Sequence, residues 1–185
     1  MKKAQDILDL FSQDLDGESF DSDADALREI NISYRNLLGE RDWHILKKSY
    51  TLPAGTTLLS AITDLDKVLK VWENGNELKK TNFDNRFDTN YDYWIDHANG
   101  TINFINYTVW ATDLIIDYKY APDDLANMED EIVFPDVAYP IISYDMILAF
   151  KEKDTDPDFY DKVEIKKEKA LNNTINWNEN LYAQE

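Results

Sequence analysis

Residues 68–78, VLKVWENGNEL, set an Asn-Gly pair between two apolar segments. Asn74 and Gly75 both tolerate the positive φ of a type I′ turn, so the stretch predicts a β-hairpin. The same punctuation returns at Asn99-Gly100, between Tyr93-Trp94-Ile95 and Ile102-Asn103-Phe104-Ile105. A further strand is predicted over Asp113 to Tyr120, where Leu114, Ile116, Tyr118 and Tyr120 alternate with Asp113, Asp117 and Lys119. Pro53 and Gly55 lie at the start of this region and Ala121-Pro122 at its end. Residues 49–121 are thus expected to form a small antiparallel β domain.

Outside it the apolar period is helical. Ala4, Ile7, Leu8, Phe11 and Leu15 mark a first helix over about residues 3–15, stopped by Asp16-Gly17. Ser22-x-x-Asp25 resembles a capping box ahead of a second helix with Leu27, Ile30, Tyr34, Leu37 and Leu38 on one stripe, ending near Gly39 and Trp43. An acidic linker, DDLANMEDEI, leads to Phe134-Pro135 and a buried helix over Val137 to Lys151, with Pro140 in its first turn. Asp156 as N-cap and Pro157 at the first helical position open a last helix that runs to about Asn173. The expected class is α+β: N- and C-terminal helices forming a helical bundle with an inserted small antiparallel β domain. The divisions are residues 1–48 (N-terminal helices), 49–121 (β domain), 122–175 (C-terminal helices) and 176–185 (an extended C-terminal tail).

The chain has 185 residues, with 37 acidic against 19 basic side chains and a formal charge of −18. A 43% hydrophobic content with 13% aromatics can build a core, which excludes wholesale disorder. The charge excludes a broad basic face for duplex DNA and disfavours acidic membrane surfaces. With no cysteine, thiol catalysis, disulfides and thiolate metal sites are excluded. The first seventeen residues have acids in every apolar run and lack the continuous apolar core of a signal peptide, and no window approaches a membrane span.

Candidate chemistry is sparse. His44 and His97 have no second His, serine motif or ligand cluster at useful spacing and read as structural or surface residues. Asp154, Asp156 and Asp158 match positions one, three and five of a calcium loop, but Phe159 and Ile165 occupy positions six and twelve. Asp21, Asp23 and Asp25 fail the same pattern at Ala26 and Ile32, so helix caps explain both strings better. Trp72, Trp94 and Trp110 suggest sugar stacking, but Trp72 and Trp94 adjoin apolar strand residues and are expected in the core. Five scattered glycines form no phosphate loop. No catalytic residue, metal or cofactor is expected.

The order of elements carries more information. INISYRNLLGERDW (residues 30–43), LPAG (52–55), VLKVWENGNEL (68–78), DYWIDHANGTINFI (92–105), IIDYKYAPDDL (115–125) and FPDVAYPIISYDMILAF (134–150) follow one another in a sequence that resembles the head-to-tail adaptor, or connector, proteins of tailed bacteriophages. These include the podovirus tail-tube A and related neck proteins. The polar stretch Thr81 to Asp92 then reads as an insert and the helix over residues 3–15 as an addition.

The resemblance implies a non-enzymatic virion protein located in the neck. It would form a homo-oligomeric ring, usually dodecameric, docked on the portal protein and offering a surface to tail or neck proteins. DNA would pass through its channel without specific binding. Helices would pack side by side around that channel, with the β domain facing outward or towards the tail. The C-terminal segment would reach along the portal, with Ile175, Trp177, Leu181 and Tyr182 as its apolar contacts. Two acidic groups, Asp21, Asp23 and Asp25 and then Asp123, Asp124, Glu129, Asp130 and Glu131, could line the channel and repel the duplex over a Debye length of about 8 Å. Ile7, Leu8 and Phe11 of the first helix are a candidate assembly surface. The competing class is a non-catalytic carbohydrate-binding β module of a phage tail or bacterial surface system, recognised by three or more aromatics on one exposed β face.

Overall fold

The computed structural model describes residues 2–105, 112–151 and 156–182, and the side chain of Tyr182 lies outside that description, as do Trp110 and Asp154. The fold is α+β and divides into two units. Residues Met1–Ile45 and Asp123–Glu185 form a helical unit, and the continuous stretch Leu46–Pro122 forms a β unit.

In the helical unit, α1 (Ala4–Asp14) ends where Asp16 and Gly17 both adopt left-handed φ, 53° and 89°, and Gly17 N–H donates to Ser12 O at 2.8 Å. Its stripe is internal: Ala4, Ile7 and Phe11 are buried and Leu8 is half-buried. That corrects the expectation of an assembly surface there, because the subunit's own apolar groups already cover Ile7 and Phe11. Helix α2 (Asp23–Gly39) starts at Ser22, whose Oγ accepts from Asp25 N–H and donates to the Asp25 carboxylate at 2.7 Å. A 3₁₀ turn (Asp136–Ala138) precedes α3 (Tyr139–Phe150), which contributes Ile141, Ile142, Met146 and Ile147 to the core and packs on α1, α2 and α4 (Pro157–Tyr182). Two aromatic knots hold the unit. Phe11, Phe20 and Phe150 meet with centroids 4.8–5.4 Å apart, and Phe134 lies edge-on to both Tyr34 and Trp43.

Helix α4 differs from the expected ending at Asn173 and the expected extended tail from residue 176, since it continues to Tyr182. Asparagine-rich sequence has poor helix propensity, but tertiary bonds override it here. Thr174 Oγ1 donates to Val137 O at 3.1 Å, and His44 N–H donates to Asn178 Oδ1 at 2.7 Å, with both polar side chains buried.

Among its described residues the β unit has seven strands: β1 (Lys47–Leu52), β2 (Leu65–Glu73), β3 (Asn76–Glu77), β4 (Lys80–Thr81), β5 (Tyr93–Asp96), β6 (Thr101–Phe104) and β7 (Leu114–Tyr120). One sheet has the order β1-β7-β2-β3 and is antiparallel throughout; the other has the order β4-β5-β6. The pairing is antiparallel as expected, except for the two-residue β4–β5 pair, which is parallel. The eleven residues between them, 82–92, turn the chain so that it re-enters in the same direction. Asn74 and Gly75 have φ of 48° and 79°, the expected primed turn. The second Asn-Gly is different. Only Gly100 has positive φ, and Asp96 Oδ1 accepts from Ala98 N–H and Asn99 N–H at 3.0 and 3.2 Å to shape a longer loop.

Inward-facing Leu52, Val68, Val71, Tyr93, Ile95, Ile102, Leu114, Ile116 and Tyr118 form the core of the unit. Trp72 and Trp94 are half-buried and alternate with these residues, so they stand on the opposite faces of their sheets rather than in the core. Trp72 Nε1 donates to Asp117 at 2.5 Å.

Candidate functional site

The acidic linker is a folded strap. Asn31 on α2 makes a two-way bond with Leu125, donating to its carbonyl at 2.9 Å and accepting from its N–H at 2.8 Å. Arg35, one helical turn further on, grips Asp124 through both carboxylate oxygens. At the other end of the strap, Ala4 N–H and Gln5 N–H at the start of α1 donate to Asp130 O and Met128 O, both at 3.0 Å. These are two of the N–H groups that a helix start leaves without internal partners.

Three of the linker's five candidate channel residues are therefore engaged. Asp124 holds Arg35, which keeps its carboxyl below the usual range. Glu129 pairs with Lys3 at 2.5 Å. Asp130 accepts from Ala126 N–H at 2.6 Å and Asn127 N–H at 3.0 Å, and these backbone bonds hold its carboxyl low as well. Asp123 and Glu131 are exposed. The group at the head of α2 is similar in kind: Asp21 and Asp23 are exposed, while Asp25 is half-buried, engages Ser22 and lies 3.4 Å from Arg28. Asp23 and Arg35 are twelve residues apart on α2, roughly 18 Å at 1.5 Å per residue, so the two acidic groups occupy different stretches of the helix.

The titration of Asp130 has a measurable consequence. A carboxylate whose folded pKa is depressed contributes stability that is present above its unfolded value, about 3.9, and lost as pH falls through the folded value. The Asp130→Ala protein is expected to melt below the wild type at pH 7, with the difference closing below about pH 4. Thermal melts across that range check it, and a difference independent of pH would refute it.

The candidate portal contacts do not share one surface. Trp177 and Leu181 stand one turn apart on α4, half-buried and 38% exposed respectively. Ile175 is half-buried on another flank at helical spacing from them. Asn178, on the next turn after Thr174, anchors this part of the helix to His44, and Arg41 reaches Glu179 at 3.4 Å. The segment is thus a docked helix end with a single large apolar side chain, Leu181, clearly presented among the described residues.

A surface missed from the sequence lies in the stretch between β4 and β5. Phe83 and Phe87 are 55% and 80% exposed, and the Arg86 guanidinium sits 3.7 Å from one ring centroid and 4.7 Å from the other. Phe83 packs edge-on against Trp94 at 5.2 Å. The signal was present as two Phe flanking an Arg in FDNRF, but surrounding Asp and Asn made the stretch read as polar.

Charge is divided unevenly between the units. The helical unit carries 27 acidic and 11 basic side chains, net −16, whereas the β unit carries 10 and 8, net −2. Among the described residues, no group of three or more His, Asp or Glu is placed to hold a metal ion, and no helix is long and apolar enough to cross a membrane. No protein-family model matches this chain, and no curated protein matches it.

Proposed function

We propose that this protein is a structural virion component, a head-to-tail adaptor that assembles as a ring on the portal and leaves a passage for packaged DNA. The observation that carries the reading is the concentration of charge in the helical unit, at −16 of −18. Repeated around a ring, helices of that charge make an anionic wall, along which a duplex slides without adhering. The engaged residues Asp124, Glu129 and Asp130 shape the strap, and Asp21, Asp23, Asp123 and Glu131, exposed and outside those bonds, are the members of the two acidic groups that would face DNA. The Phe83–Arg86–Phe87 surface suits a tail or neck protein, because aromatic and arginine side chains dominate protein contacts.

The portal-contact assignment rests on Leu181 together with Tyr182. Removing residues 176–185 would take away the Asn178 anchor as well, so the sharper variant ends at Asn180. That truncation is expected to keep the melting temperature within about 2 °C of wild type, a change of under 1 kcal/mol, and to reduce co-sedimentation with the portal several-fold. Undiminished co-sedimentation would sink the assignment, and failure of the full-length protein to bind portal would sink the adaptor reading.

One observation favours a carbohydrate-binding module instead: Phe83 packs on Trp94 of the smaller sheet, and Arg86 links it to the exposed Phe87. The Phe83 and Trp94 rings stand at 78°, however, and the Arg86 guanidinium sits over one face of each Phe ring, so the three aromatics do not form one flat stacking platform. Glycan binding by the purified protein, abolished in Phe87→Ala, would reverse that preference.

A further inference from the structure

Helix α4 distributes its charges in a way that disfavours an isolated, solvated helix. Opposite charges four residues apart on one helix stabilise it, by about 0.2–0.5 kcal/mol a pair, and like charges at that spacing cost a similar amount. Between residues 158 and 169 only Asp158 and Lys162 form an opposite pair at that spacing, whereas Lys162–Lys166 and Glu164–Glu168 are like pairs. At roughly 100° per residue, Lys162, Lys166 and Lys169 fall along one edge of the helix and Asp161, Glu164 and Glu168 along another, about 130° away. Ile165, 66% exposed, stands between the two edges.

Lys162, Lys169, Glu164 and Glu168 are exposed and take part in no ion pair among the described residues. Lys166 lies 5.7 Å from the Tyr144 ring centroid, with its ammonium uncommitted to a carboxylate among the described residues. The acidic edge borders a groove of about 620 Å³, in which Leu148, Ile165 and Leu171 supply apolar lining and Glu164 and Glu168 supply carboxylates, with Lys167, whose ammonium is held by Asp145 at 2.5 Å, also in the lining. A fitting occupant is a helix that carries lysines beside an apolar residue. The basic edge of α4 in a second copy is such a helix.

We infer that this protein self-associates through α4, the Lys162–Lys166–Lys169 edge of one copy entering the Glu164–Glu168 groove of the next. Both edges span the same two turns, which lets two parallel helices meet along them at equal height. Used in one direction around a ring, the contact is head-to-tail: each copy gives its basic edge to one neighbour and its acidic edge to the other. The contact follows from the charge layout of α4, and its place as the lateral interface of a ring rests on the function proposed above.

The experiment uses two full-length charge-reversal variants, one carrying K162E, K166E and K169E, the other E164K and E168K. All five side chains are exposed, and circular dichroism verifies that both variants remain folded. In sedimentation velocity at about 20 mM salt the wild type is expected to form oligomers that dissociate towards 0.5 M salt, as screening predicts. Each variant alone should be monomeric, since both of its edges then carry one sign, and an equimolar mixture should regain the large species. Oligomers of wild-type size from either variant alone, or a mixture that stays monomeric, would overturn the inference. A variant that still assembles on the portal would overturn the α4 contact and leave the adaptor reading standing, whereas wild-type rings that ignore the portal would do the reverse.

Discussion

Replacing Trp43 by Ala is expected to cost about 3–5 kcal/mol, the range for truncating a fully buried aromatic. Trp43 is 0% exposed, donates its indole N–H to Leu37 O at 2.7 Å and meets Phe134 edge-on at 5.2 Å. Phe134 in turn contacts Tyr34 at 6.0 Å, so one indole joins the end of α2 to the chain entering α3. Set against a typical total stability of about 5–15 kcal/mol, the loss removes a large share. Chemical denaturation should show the lower midpoint. Hydrogen exchange should accelerate first in α2 and α3, and a loss under about 1 kcal/mol would show that the pocket collapses around the smaller side chain.

Ile116→Ala is expected to cost about 2–5 kcal/mol, while Ile115→Ala, one residue earlier, costs under about 1 kcal/mol. The contrast comes from the pleat. Ile116 is 0% exposed and pairs with Tyr50 on β1 and Val71 on β2, at the centre of the larger sheet. Ile115 points to the other face and is 45% exposed. Faster exchange in β1, β2 and β7 of the Ile116 variant, with α2 and α3 unchanged, would locate the damage in the β unit. Equal losses at the two positions would contradict the assigned faces.

Several features were legible because one local signal determines each. The alternation from Leu114 to Tyr118, the Asn74-Gly75 turn, Ser22 at the head of α2 and Asp156 with Pro157 at the head of α4 all follow from steric or capping preferences of a few adjacent residues. Features made by distant partners were not. The two-residue β4 has no apolar period of its own and exists through pairing with β5. Register irregularities between Leu65 and Lys67 and between Val68 and Lys70 break the alternation of β2, which hid the outward orientation of Trp72. The end of α4 depends on Thr174 and Asn178 meeting Val137 and His44, and polar sequence alone reads there as a tail.

The candidate surfaces follow the same division. Counting carboxylates found the acidic runs, but could not separate Asp130, which organises the strap, from Glu131, which faces solvent. The two edges of α4 become visible once the helix is placed and its buried side is fixed by Val163, Thr174 and Asn178.

The division into one continuous and one split unit also sets an order of events on the ribosome. Leu46–Pro122 can complete its described strands as soon as residue 122 clears the exit, whereas the helical unit is not complete through α4 until about 60 more residues are made. At about 5–20 residues per second that interval is roughly 3–12 s. For about the first half of it, until α3 is complete at Phe150, Ile7, Phe11, Ile30 and Leu37 have no α3 to cover them, so the newborn α1 and α2 are natural clients for a chaperone.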